Sequence, residues 1–307
     1  MGIESIRHRV DRASKSSASV MKYGLELPTY GPCSDARILG EFGHLAERAG
    51  WDGVFLEDYI VHYNHAGLPE NVCDPWVSLS TIAANTTRIR IGTTVTPLAR
   101  RRPWKLARET VSIDHLSKGR LTLGVGLGDI EHEGRSFSDF GETIDIRKRA
   151  EMVDEALEVL TGLWSGESFT YHGKYYSLKQ TIFLPRPVQR PRIPIWIGGN
   201  WPHQGVMNRA ARWDGFVGGK EHTHDQPWCL TPDELRALKI AIQSRRKSLE
   251  GFDIALGGAS RGNDWKKDQE TISSLEKAGA TWWMEYVTSN TFEKMSEVIR
   301  QGPLRIG

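Results

Sequence analysis

The chain of 307 residues holds only three cysteines, Cys33, Cys73 and Cys229. The number is odd and no C-x-x-C spacing occurs, which argues against a disulfide framework and for a reducing compartment. No stretch approaches the roughly 18 apolar residues of a membrane span, so a cytoplasmic protein with no membrane partner is expected. Charge of one sign is also missing. The 40 Lys and Arg against 38 Asp and Glu leave +2, too balanced for a nucleic-acid or membrane-surface footprint. Nucleophile elbow and P-loop motifs are absent as well. A small-molecule substrate is the expectation that survives.

Residues 1 to 20 carry Arg7, Arg9, Arg12 and Lys15 but no apolar segment of a secretory signal. They read as a frayed extension, with Met21 opening one domain that runs to residue 307. From there, short β-branched runs alternate with helix-length segments. Eight runs qualify: 22–27, 53–57, 89–95, 121–125, 193–198, 214–217, 253–256 and 281–287. Eight strands, each followed by a helix, over about 280 residues predict a closed (β/α)8 TIM barrel of the α/β class. An open Rossmann-like sheet is the alternative. Its fingerprint fails at the best place, Gly124-Val125-Gly126-Leu127-Gly128, because Asp129 and Glu131 stand where a third glycine is needed. Residues 165 to 192, rich in aromatics and then in proline, predict a short hairpin insertion between helix four and strand five.

A barrel of this kind carries its chemistry at the C-terminal ends of the strands. Glu26, Glu57, Asp58 and Glu285 stand there and converge if the barrel closes. They are either paired with inward cations or free for acid/base work. Gly198-Gly199-Asn200, with Pro202 behind them, resemble a phosphate cradle at a helix start. Arg100-Arg101-Arg102 form either a solvated run or a clamp for an anionic tail. His62 and His65, and His222 and His224 beside Asp225, are suggestively spaced, but they sit in loops and neither pair lies at a strand end, so no metal is assigned. A metal-dependent barrel hydrolase remains a more distant alternative.

Three stretches then carry a resemblance: RIRIGTTVTPLARRRPWKLARETVSIDHLSKGRLTLGVGLGD, FGETIDIRKRAEMVDEALEVLTGLWSGE and PRIPIWIGGNWPHQGVMNRAARWDGF. They resemble the bacterial luciferase-like monooxygenase family, over nearly all of residues 21 to 306. The likeness is specific for the superfamily and not for a substrate. It implies a flavin-dependent oxidoreductase, foremost a two-component monooxygenase using reduced FMN (FMNH2) from a separate NAD(P)H:flavin reductase and O2. The alternative is hydride transfer with the deazaflavin coenzyme F420; a flavin-binding protein without turnover is more distant. A homodimer is implied too. By the same resemblance Thr94, Val95 and Thr96 line the ring, with a bulge or non-prolyl cis peptide there, Gly126 and Asp129 border it, and Gly198, Gly199 and Asn200 receive the phosphate. The family often places His just after the second strand; here Glu57-Asp58-Tyr59 substitutes a phenol, which leaves Asp58, Tyr59 and His62 as acid/base candidates.

Overall fold

The computed structural model describes residues 21–64, 66–128, 135–220, 228–259, 261, 264–289 and 291–306. The eight expected strands are all present: Lys22–Leu27, Gly53–Leu56, Arg90–Thr93, Leu121–Gly126, Ile195–Trp201, Gly215–Lys220, Asp253–Ala259 and Trp282–Tyr286. All pair in parallel, each with its neighbour in sequence, and the first pairs with the eighth. The fourth also pairs with the fifth, Leu123 opposite Ile195, so the sheet closes on itself. The closed (β/α)8 barrel expected from the βα count is what the chain forms. An antiparallel hairpin, Ser168–His172 with Ser177–Ile182, occupies the expected insertion.

Local chemistry explains the helix boundaries. The helix Ala36–Ala49 starts where the Asp35 carboxylate accepts the Arg37 N–H and stops at Gly50, whose φ of +89° suits glycine. Thr231 and Glu234 form a reciprocal capping box on Pro232–Gln243, worth about 1 kcal/mol. Strand alternation sorts the last strand's tryptophans: Trp282 packs inside the barrel with Phe55, Trp196, Val217, Ala255 and Met284, whereas Trp283 joins the core between sheet and helices. The interior is filled because strands one and two place Gly24 and Gly53 opposite this bulk; a Cβ on Gly53 would come within 2.7 Å of Phe55. Among the described residues no helix is long and apolar enough to cross a membrane.

Candidate active site

The third strand leaves the ladder at the barrel mouth. Ile91 and Gly92 pair with Leu121 and Thr122, and Thr96 and Pro97 rejoin opposite Val125 and Gly126. Thr94 and Val95 lie between, joined by the expected non-prolyl cis peptide. The bulge is anchored below, where Thr93 donates to the Gly124 carbonyl at 3.0 Å and Thr96 donates to Thr93 at 3.1 Å. Val95 then fills the space that a Cβ at Gly126 or Gly198 would need. Those two glycines are therefore explained by the bulge pressing on strands four and five. The Thr94 hydroxyl is buried without a hydrogen-bond partner among the described residues. A wall of valine methyls and bare glycine backbone with one unsatisfied hydroxyl suits a planar ring with a polar edge.

Gly198, Gly199 and Asn200 require a correction. They stand within the fifth strand, opposite Val217, Gly218 and Gly219. The following helix, Gln204–Ala210, is only seven residues long and is capped by His203; Pro202 lies before the cap, after a cis peptide. The helix-terminus argument for a phosphate therefore does not apply to these three residues. Gly199 has φ +155°, and a Cβ there would come within 2.6 Å of Val206, so packing alone demands glycine. What the strand ends do offer is a floor of backbone, edged by Trp201 beside Lys220 in the register.

The carboxylates divide. Asp58 is buried and accepts from Arg101 Nε at 2.9 Å and Nη2 at 2.6 Å, with Arg100 donating to its backbone carbonyl. Two arginines of the run Arg100-Arg101-Arg102 are thus engaged by Asp58 and do not stand free as an anion clamp. Arg102 is exposed and lies over the Trp104 ring. Glu285 is likewise held by Arg261 at 2.9 and 3.0 Å, although burial still raises its pKa.

Glu26 differs. It is the last residue but one of the first strand, opposite Phe55 and Tyr286 in the register. The residue keeps some accessible surface, yet its carboxyl is ringed by protein, and this burial pushes its pKa up to about 7. The Thr94 hydroxyl is near enough to oppose that rise without reaching hydrogen-bond geometry. A carboxyl that exchanges its proton near neutrality is suited to acid/base work.

The aromatic side of the mouth comes from two loops and the end of the eighth strand. Tyr30 and Tyr286 hydroxyls lie 3.0 Å apart. Burial, then the nearby Glu57 charge, pushes Tyr30 up to about 12 and Tyr286 higher still, so both remain neutral donors. His62 stacks on Tyr30 with ring centroids 3.5 Å apart and donates from Nδ1 to Glu70 at 2.8 Å; Tyr59 meets both rings edge-on. Thus His62 is tied to the two-stranded ribbon His62–Tyr63 and Pro69–Glu70. A cavity of about 350 Å³ beside the mouth is lined by Tyr59, Val72, Cys73 and Arg101 but not by Glu26, Thr94 or Gly198. We place the site at the bulge, where the titratable and apolar groups converge.

Asp129, His65, His222, His224 and Asp225 lie outside the described residues. Among the described residues no three His, Cys, Asp or Glu side chains gather to hold a metal. Tyr30, Tyr286, Lys220 and Arg261 were not singled out by sequence reading. Tyr286 and Lys220 end strands, so closer scrutiny of the strand ends would have found them.

A closed βα barrel with a bulged third strand thus carries its candidate site at the C-terminal ends of the strands. The chain belongs to the luciferase-like monooxygenase family, whose model matches residues 16–244. An F420-dependent glucose-6-phosphate dehydrogenase of Microbacterium testaceum is 36% identical over 163 residues, 53% of this chain and 46% of that one. The chain spans about half the length of such curated relatives. In fold it matches a monooxygenase, RslO1, of Streptomyces bottropensis (TM-score 0.72, 20% identity, 92% of this chain and 97% of that one). It also matches the coenzyme F420-dependent tetrahydromethanopterin reductase of Methanopyrus kandleri (TM-score 0.70, 17% identity, 92% and 98%).

Proposed function

We propose that this protein is an oxidoreductase that moves a hydride between a small organic substrate and coenzyme F420, with Glu26 handling the accompanying proton. The observation that carries the acid/base role is Glu26, enclosed at the barrel mouth beside the buried Thr94 hydroxyl and held near pKa 7 by that burial. Thr94, Val95 and Gly126 would border the ring, and Lys220 with the backbone of Gly198 to Asn200 would face the phosphate. When bound, the deazaflavin supplies hydride chemistry; the chain supplies position, a dry wall and a proton carrier. Tyr30 and Tyr286 act as fixed hydroxyl donors, and Tyr59 and His62 as the aromatic edge of the substrate space.

The 36% identity to a relative named as F420-dependent puts the deazaflavin ahead of FMN, reversing the order expected from sequence. FMN-dependent monooxygenation stands second, and a separate NAD(P)H:flavin reductase belongs to that reading alone. Homodimerisation is proposed with either. Anaerobic titrations with coenzyme F420 and with FMN, followed by fluorescence, test the order. Saturable binding of the deazaflavin and none of FMN is expected. Binding of FMN alone, with O2 uptake on adding its reduced form, would replace the first reading by the second. Glu26→Gln is expected to lower turnover by about 10² to 10⁴-fold without weakening coenzyme binding.

A further inference from the structure

One buried ring gathers three loops of the barrel mouth. Phe137, in the short helix Arg135–Ser138, is fully buried. The Arg100 guanidinium, from the turn after the third strand, lies 5.3 Å from its ring centre. That of Arg149, from the helix Ile146–Trp164, lies 4.8 Å away. The Arg100 side chain and Arg149 are each only 1% exposed, and an aromatic face attracts a cation most strongly where water is excluded. Each arginine passes the contact on. Arg100 donates to the carbonyl and carboxylate of Asp58, beside Tyr59 in the loop after the second strand. Arg149 donates from Nη1 to the Leu127 carbonyl at 2.7 Å and to that of Gly128 at 3.2 Å, just beyond Gly126. Two further contacts do not depend on charge. Ser136 donates to the Val61 carbonyl at 3.1 Å, and Gly128, at φ +80°, would place a Cβ 2.4 Å from the Phe137 ring.

Resting on the placement of the site at the bulge, we infer that Phe137 is a positioning residue that fixes the two sides of the mouth relative to each other. Through Arg149 it holds the end of the fourth strand, which would border the coenzyme ring. Through Arg100 it holds Asp58 and Tyr59, which would edge the substrate space. A leucine would fill part of the volume but present no π face, so the two cations would lose their common anchor and the two loops would move independently. Small displacements of that kind are costly where reacting groups must stay aligned.

The test compares wild type, Phe137→Leu and a protein with pentafluorophenylalanine in place of Phe137, whose ring has nearly the same shape but repels cations. In the coenzyme-free proteins, hydrogen exchange read by mass spectrometry is expected to be about tenfold faster in segments 55–61 and 123–128 of both variants, with the eighth strand Trp282–Tyr286 unchanged. Faster exchange in only one of the two segments, or an equal rise throughout the chain, would make Phe137 an ordinary core residue and overturn the inference. So would wild-type exchange in the fluorinated protein, because the ring would then only fill space. The same proteins are titrated with coenzyme F420 and with FMN. Whichever coenzyme wild type takes up is expected to bind about tenfold more weakly in both variants, which corresponds to ~1.4 kcal/mol; undiminished affinity in both overturns the positioning role. If wild type binds neither, the coenzyme reading fails, while the exchange measurement still decides whether Phe137 couples the loops.

Discussion

The two ends of the barrel are made by the same eight strands and are built to opposite rules. At the bottom, Phe55, Trp196 and Trp282 fill the interior; ring centroids lie 5.2 to 5.6 Å apart, and all three residues are fully buried. At the top, Glu26 is kept near pKa 7 by burial, Thr94 has an unsatisfied hydroxyl, and the third strand breaks its ladder. The bottom gains stability from burial, while the top gives some of it up to keep reactive groups poised. Removing the desolvated Glu26 charge at the top should therefore move stability in the opposite direction to removing bulk at the bottom.

The largest effect is expected at the bottom. Trp282→Ala should cost about 3 to 5 kcal/mol in denaturant unfolding, through lost burial and the cavity left among Phe55, Trp196 and Met284. A loss below ~1 kcal/mol would mean that the interior is less tightly packed than described. Next comes Glu26→Gln, with the opposite sign. A carboxyl whose folded pKa is raised contributes stability at pH below its unfolded value near 4.5, and this is lost as pH rises through about 7. Wild type should thus fall relative to the glutamine variant between pH 4.5 and 7, by up to about 3 kcal/mol at pH 8. Parallel stability profiles for the two proteins would show that Glu26 is not desolvated. The smallest effect is expected from Tyr286→Phe, which deletes one hydroxyl pair and should cost about 0.5 to 1.5 kcal/mol by thermal unfolding. A change larger than that of Trp282→Ala would reverse the contrast between the ends.

The hairpin and the bulge show how differently features were legible. Alternating runs and their spacing determined eight strands and the insertion, because burial period and chain length are local properties. The caps at Thr231 and Asp35 are equally local, each bonding an N–H two or three residues on. Asp58 could not be read this way. In sequence it is either paired with an inward cation or free, and only the fold brings Arg100 and Arg101, more than 40 residues later, onto its carboxylate.

Gly198 and Gly199 mark the same boundary. Two glycines before a short helix suggest a phosphate cradle, whereas Val95 and Val206 supply the collisions that keep them glycine. The sequence by itself thus determined the strand count, the family and the composition of the mouth. Tertiary structure decided which charges are neutralised there and which remain active. A side chain's charge state depends on burial and on partners from distant strands, and those distances do not exist until the barrel closes.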